Sequence, residues 1–309
     1  MAGVGRLADW IESSCLFGQD GKISKTEVVD ELVGSGVIQP KGSQTSEEIA
    51  EEIVDEVFVE LRRRQNLTEP GGPFSFPFDV ESSVLRRRES DWTSSATYGF
   101  LLLATMGQLV DWLRTKSTTY DEIGHLFEDI VRLSTEGLFG LPSAVLLTSK
   151  KGADHLKRRV RKLLLPFNRG TLAEIAAAPR RVRDGGLDVV VRLWDHTRDR
   201  RPGNAHFLIQ CAAGKDWEKK VNTPELANWQ AWVDWRGPIY KGFAVPFLFS
   251  GDQRLHAVSR AGGWTLILDR IRLLYGLGTA GSMPSELTKT IREWCKRQLP
   301  ALKKNGLAI

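Results

Sequence analysis

The chain has little of what would tie it to an oxidising compartment, a membrane or a zinc site. Only Cys15, Cys211 and Cys295 occur in 309 residues, far apart, with no CxxC and no pairing with His at zinc spacing. An odd, dispersed set of thiols provides no disulfide framework and points to a reducing cytoplasm. His125, His196, His206 and His256 also lack ligand spacing and read as structural. MAGVGRLADWIES has no apolar core ahead of a cleavage site, so no secretory signal is expected. LLLATMGQLVDWL at 101–113 is too short and interrupted to span a bilayer. These absences predict a cytoplasmic protein without membrane contact. QDGKISKTE at 19–27 resembles the second half of a calcium-binding loop, but the earlier ligand positions fall on Leu16 and Gly18, which cannot coordinate calcium. A turn into a capped helix is the expectation there.

What is present suits a soluble protein with a sizeable core. The sequence is 41% hydrophobic and 26% charged, long enough for one large domain or two ordinary ones. The 43 Lys and Arg against 38 Asp and Glu leave a net charge of +5, concentrated in LRRRQ at 61–65, LRRRES at 85–90, KRRVRK at 157–162 and RRVR at 180–183. Such clusters suit a polyanion or form solvated helix faces. KRRVRK lies just upstream of the chemistry described below, which makes Lys157, Arg158, Arg159, Arg161 and Lys162 the candidate nucleic-acid contacts.

The first part of the chain reads as helical. Ser24 with Glu27 forms a capping box opening TEVVDELV, and Thr45 and Ser46 precede a helix with Ile49, Ile53, Val57 and Leu61 at four-residue spacing. EPGGPFSFPFDV at 69–80 breaks the pattern as a loop or short extended segment. A buried helix follows in ATYGFLLLATMGQLVDWL and an amphipathic one at 120–140, ending at Gly137 or Gly140. From about 185 the pattern becomes strand-like. LDVVVRLW at 187–194, HFLIQCA at 206–212 and GFAVPFLFS at 242–250 read as strands, 263–277 as strand then helix, and 285–299 as a closing helix. The division expected is a helical region at 1–115 and an α/β domain at 116–309.

The chemistry gathers at 184–215. If 187–193 and 206–212 form a hairpin with 191 opposite 207, Asp188 lies across from Gln210, Val190 from Leu208 and Arg192 from His206. Cross-strand partners share a face, so the carboxylate and the amide sit side by side. Something cationic must offset a buried carboxylate beside an amide oxygen. Mg²⁺ fits, because it takes oxygen ligands, retains waters and bridges to phosphate. Lys215 follows after Ala-Ala-Gly, where Gly214 lets the chain turn its ammonium back toward the site.

GGLDVVV…FLIQCAAGKDW resembles the core of the PD-(D/E)xK, or restriction-endonuclease-like, nucleases, in particular the Mrr-like branch. That resemblance implies a mixed sheet flanked by helices and Mg²⁺-dependent phosphodiester cleavage, usually of DNA, with Mn²⁺ an alternative metal. By position, Asp188 matches the first metal ligand, Gln210 the acid-or-Gln and Lys215 the catalytic Lys. The common spacing would put that Lys at Ala212; the displaced Lys resembles a QCA-x-GK-x-W variant. A Phe-Glu pair on a preceding helix is matched by Phe127 and Glu128, with Glu174 the other candidate. A defence-related DNA endonuclease is therefore expected, as a homodimer or with a partner protein, RNA remaining open as substrate. The alternative is an inactive nuclease-like binding module. Four Trp residues at 217, 229, 232 and 235 suit core packing or base stacking, and Arg270 and Arg272 suit phosphate or a pair with Asp269.

Overall fold

The computed structural model describes residues 3–68, 71–109, 117–140, 143–145, 160, 185–193, 205–233, 235, 237–249, 251–260, 265–281 and 283–304. The chain forms two compact units, Met1–Trp112 with Pro284–Ile309, and Leu113–Met283. The sequence placed a division at 115/116 and kept the last helix with the second part. Contacts instead return that helix to the first unit, because Trp294 and Cys295 are fully buried there, Trp294 edge-on to Phe100 with ring centroids 5.0 Å apart.

In the first unit, helices α1 (Val4–Phe17), α2 (Lys25–Gly34), α3 (Ser46–Asn66), α4 (Ala96–Leu109) and α10 (Ser285–Lys304) accompany a small antiparallel sheet. Its strands are β1 (Lys22–Ser24), β2 (Phe78–Val80) and β3 (Val84–Arg87), in the order β1-β3-β2. The sheet is an addition to the helical reading, made from segments too short for a period-two signal. Both capping boxes form: the Ser24 and Thr45 side chains accept from Glu27 N–H and Glu48 N–H at 3.2 Å each. The 19–27 stretch is a turn, a short strand and a capped helix.

Within the basic clusters of this unit, Arg64 is withdrawn into the core while its neighbours stay at the surface, several in ion pairs. Arg64 is 1% exposed, and donates to Asp9 at 2.7 Å, Glu12 at 2.9 Å, Glu60 at 2.9 Å and the Gly5 carbonyl at 2.9 Å. Tyr98 adds a hydrogen bond to Glu12 at 2.7 Å, so one ionic cluster ties α1, α3 and α4 together. Burial alone works against the guanidinium charge, but Glu12 and Asp9 outweigh it and hold the group ionised. Arg63 pairs with Glu60, Arg86 with Glu81 and Arg88 with Asp79, while Arg87 donates to main-chain carbonyls of Glu89 and Ser90. Neighbouring carboxylates and carbonyls take up the charge that the sequence displays as RRR.

The second unit is a five-stranded mixed sheet flanked by helices, as the resemblance implied. Strand β4 (Ser143–Val145) pairs antiparallel with β5 (Val189–Arg192), and β5 antiparallel with β6 (His206–Cys211). Parallel pairing continues to β7 (Ile239–Ala244) and β8 (Thr265–Leu268). β7 begins earlier and ends sooner than the 242–250 segment expected. Pro246 has no N–H to continue a ladder, and Tyr240 and Lys241 hid the start. β4 was not anticipated.

One sheet face carries Val190 and Leu208 into a cluster with Leu187, Trp229, Trp232 and Trp235. The indoles are thus core, not exposed platforms for bases; α7 (Leu226–Trp232) brings the first two of them in. The other face receives α5 (Ser117–Phe139), whose Phe139 stacks on Phe207 at 5.5 Å. α5 ends at Gly140 with φ 64°, whereas Gly137 marks its crossing with α9 (Arg270–Thr279). A Cβ on Gly137 would stand 1.8 Å from Gly276 O, and one on Gly276 2.3 Å from Ser134 O. Arg270 is fully buried and donates to Pro246 O at 2.9 Å, and Arg272 donates to Ile267 O at 2.7 Å. Asp269 instead caps α9 by accepting from Arg272 N–H at 3.2 Å. Both arginines serve the fold where phosphate contact had been an option. No helix among the described residues is long and apolar enough to cross a membrane.

Two stability measurements follow from this packing. Arg64→Ala strands buried carboxylates and should lower the unfolding free energy by about 3–5 kcal/mol in urea, whereas Arg62→Ala on the exposed side of α3 should change it by less than about 0.5 kcal/mol. At the helix crossing, Gly137→Ala and Gly276→Ala should each cost about 1–3 kcal/mol. Gly124→Ala, also in α5 but with nothing within 4 Å of its Cβ, should stabilise by about 0.5–1 kcal/mol in the same titration.

Candidate active site

The β5–β6 ladder pairs Val189 with Ile209, Val190 with Leu208, Val191 with Phe207 and Arg192 with His206, which is the register the alternation pointed to. One step further, Asp188 N–H donates to Ile209 O at 2.9 Å, which brings Asp188 beside Gln210 at the end of the ladder. The two side chains meet: Gln210 Nε2 donates to Asp188 Oδ2. Cys211 N–H donates to the same oxygen at 2.6 Å, so a side chain and not a main-chain carbonyl satisfies this amide. Asp188 is 7% and Gln210 6% exposed, so these donors offset the cost of burying a carboxylate.

The preceding Gly185-Gly186 is required by close approach. Both have positive φ, 59° and 72°. The Trp229 indole donates to Gly185 O at 3.1 Å. A Cβ on Gly186 would lie 2.5 Å from Thr223 Cβ and 2.9 Å from Gln210 Oε1. Thr223 closes the arrangement: its Oγ1 lies 3.0 Å from Gln210 Oε1 and 2.7 Å from Lys220 O. Gln210 Nε2 also donates to Cys211 O at 3.2 Å.

Cys211 reports the local field. Its thiol is pushed well above the usual range by burial first, then by Asp188 and Glu128, with Lys220 opposing. A protonated thiol is neither a nucleophile nor a soft metal ligand. Glu128, on α5, thus contributes with Asp188 to that upward push on the thiol. Glu128 Oε2 stands 3.6 Å from His125 Nδ1, one turn earlier. Lys215 is exposed in the turn between β6 and α6 (Trp217–Lys220). His206 is at the far end of β6, its ring 5.3 Å from Trp235. Glu174, Lys157, Arg158, Arg159, Arg161 and Lys162 lie outside the described residues; within that basic run Val160 is described, and it is buried in the tryptophan cluster.

Asp188 and Gln210 are thus brought together, and Glu128 and Lys220 bear on the same thiol. Sequence reasoning missed Thr223 and Lys220. Thr223 lies thirteen residues after Gln210 in a segment without periodicity, and only the GG pair, whose tight approach needs a neighbour, hinted at it.

The donor chemistry here is oxygen: carboxylates, an amide and a carbonyl. Among the described residues no three His, Cys, Asp or Glu side chains are placed to hold a metal ion. Oxygen donors are the kind Mg²⁺ takes, but as the side chains stand Gln210 turns its Nε2, and not its oxygen, toward Asp188. No family model matches the chain, and no curated protein does either. Among solved structures, restriction endonuclease FokI shows a likeness with a TM-score of 0.23 and 9% identity, over 93% of this chain and 45% of that one. The chain therefore spans less than half of that protein's length, and so slight a likeness assigns neither fold nor function.

The glycine requirement can be measured. Gly186→Ala should cost about 1–3 kcal/mol more in urea unfolding than Gly36→Ala, whose φ of 67° is similar but whose Cβ meets nothing within 4 Å. Equal losses at the two positions would remove the close approach from the explanation.

Proposed function

We propose that the chain is a divalent-cation-dependent phosphodiesterase that cleaves DNA. The observation that supports this most is the buried Asp188–Gln210 pair at the end of the β5–β6 ladder, with its resemblance to the PD-(D/E)xK motif. Asp188, Gln210 through Oε1, and Glu128 would hold Mg²⁺ or Mn²⁺. The metal, when bound, supplies an activated water and polarises the scissile phosphate. The Cys211 N–H, donating to Asp188 Oδ2 at 2.6 Å, would hold that carboxylate in position. Lys215, in the turn beyond β6, would place an ammonium toward the developing charge on phosphate, with Lys220 a second cation nearby. Lys157, Arg158, Arg159, Arg161 and Lys162 would contact the backbone, giving salt-dependent affinity with little sequence choice. A restriction or anti-phage setting, and a dimer to cut both strands, belong to the same reading.

Plasmid DNA incubated with Mg²⁺ tests it. Wild type should nick or degrade the plasmid, and EDTA should stop it. Asp188→Asn should lower the rate at least about 100-fold while leaving gel retardation in EDTA intact, since without metal the basic run would carry the backbone contacts. Retardation without cleavage, indifferent to EDTA, would sink the catalytic reading in favour of a binding module. Faster turnover of a matched RNA would move the substrate class.

A further inference from the structure

Gln210 is held by its nitrogen to two oxygens, Asp188 Oδ2 and Cys211 O, while its own oxygen faces the Thr223 hydroxyl at 3.0 Å. A metal ligand needs the reverse, with Oε1 toward Asp188. The two ends of an amide have nearly the same shape, so a half-turn of the group exchanges them without repacking. The turned amide brings its oxygen up to the Asp188 carboxylate and the Cys211 carbonyl. Three acceptors would then face one another without the amide N–H groups that had stood between them, an arrangement that a cation would favour. The amide N–H groups occupy the place a cation would take.

We infer that Thr223 is the positioning residue that makes this turn possible, an inference resting on the proposed role of Gln210 as a metal ligand. Its hydroxyl carries one proton and two lone pairs. With that proton directed to Lys220 O at 2.7 Å, a lone pair is free to accept from Gln210 Nε2 after the turn. With the proton directed to Gln210, the hydroxyl donates to Oε1 before it. The same group therefore satisfies both amide orientations, and the buried –NH₂ is never left without an acceptor. Gly186 allows it: a side chain there would collide with Thr223 and with Oε1. No other residue type at 223 except Ser combines a donor, an acceptor and so short a reach.

Titration of the full-length chain with Mn²⁺, followed by calorimetry or by the EPR signal of the free ion, tests this apart from catalysis. Thr223→Val should weaken Mn²⁺ binding roughly tenfold, the consequence of an unsatisfied buried donor in the loaded state. Thr223→Ser should bind within about twofold of wild type, because the hydroxyl is kept. If Thr223→Val binds as tightly as wild type, or Thr223→Ser is weakened as much as Thr223→Val, the inference fails while the metal site stands. If wild type and Asp188→Asn both fail to bind Mn²⁺, the reading of the site as a metal centre falls with it. Far-UV spectra and melting curves of all variants keep loss of fold distinct from loss of binding.

Discussion

A single buried carboxylate constrains the second unit. Asp188 immediately precedes the strand Val189–Arg192, beside three valines and at the end of the ladder, and an ionised group there must find donors or neutralise. It finds the Cys211 N–H at 2.6 Å and the Gln210 amide. Each of these needs its own support. The Cys211 N–H is fixed because β6 is an inner strand, paired with β5 on one side and β7 on the other. The Gln210 amide oxygen accepts from the Thr223 hydroxyl, and Thr223 can approach only because Gly186 has no side chain. Trp229 holds Gly185 by its carbonyl and fills the core under the sheet, so the same side chain packs the fold and sets the loop.

The first unit solves a similar problem with the opposite sign. Arg64 is buried as a cation, and Asp9, Glu12, Glu60 and Gly5 O surround its donors. That cluster is fully reciprocal, which suits a role in holding three helices in one arrangement. Asp188 is different in kind. A neutral amide and a backbone N–H both donate to its Oδ2, where Arg64 instead meets full charges of the opposite sign.

The sequence made the site's centre legible because β structure has period two. Alternation put Val190 and Leu208 on one face, and of the registers that allow this, the one with 191 opposite 207 placed Asp188 beside Gln210. The strands at 143–145 and 22–24 were not legible, since three residues carry no period. Nor was the fate of the arginines. LRRRQ shows charge, but only tertiary structure shows that Arg64 turns inward while Arg62 and Arg63 stay out. Thr223 was invisible for a related reason: its importance is a distance to Gln210 and Gly186, and no local pattern encodes a distance across thirteen residues of turn and short helix. Pro246 was visible and underused, for a residue without N–H already implied that the strand through Ala244 could not continue.

Why an amide stands opposite Asp188, where a second carboxylate would bind a cation harder, follows from the cost of the empty site. Two carboxylates in contact cannot both remain ionised without a cation, and one would take up a proton, as close acidic pairs do. Burial would push in the same direction. On the proposed reading an amide avoids this: without metal it donates to Asp188, and when turned it would contribute a neutral oxygen. The consequence is a site of lower charge, which by itself holds a divalent ion weakly. On the proposed reading the missing attraction comes from substrate, because a phosphodiester brought alongside adds an anionic oxygen to Asp188, Gln210 and water. Cation and nucleic acid would then bind with positive coupling, each raising the affinity of the other by the same factor. The amide would thus leave a metal site that binds weakly alone and more tightly with phosphate alongside, with Thr223 keeping both of its orientations hydrogen-bonded.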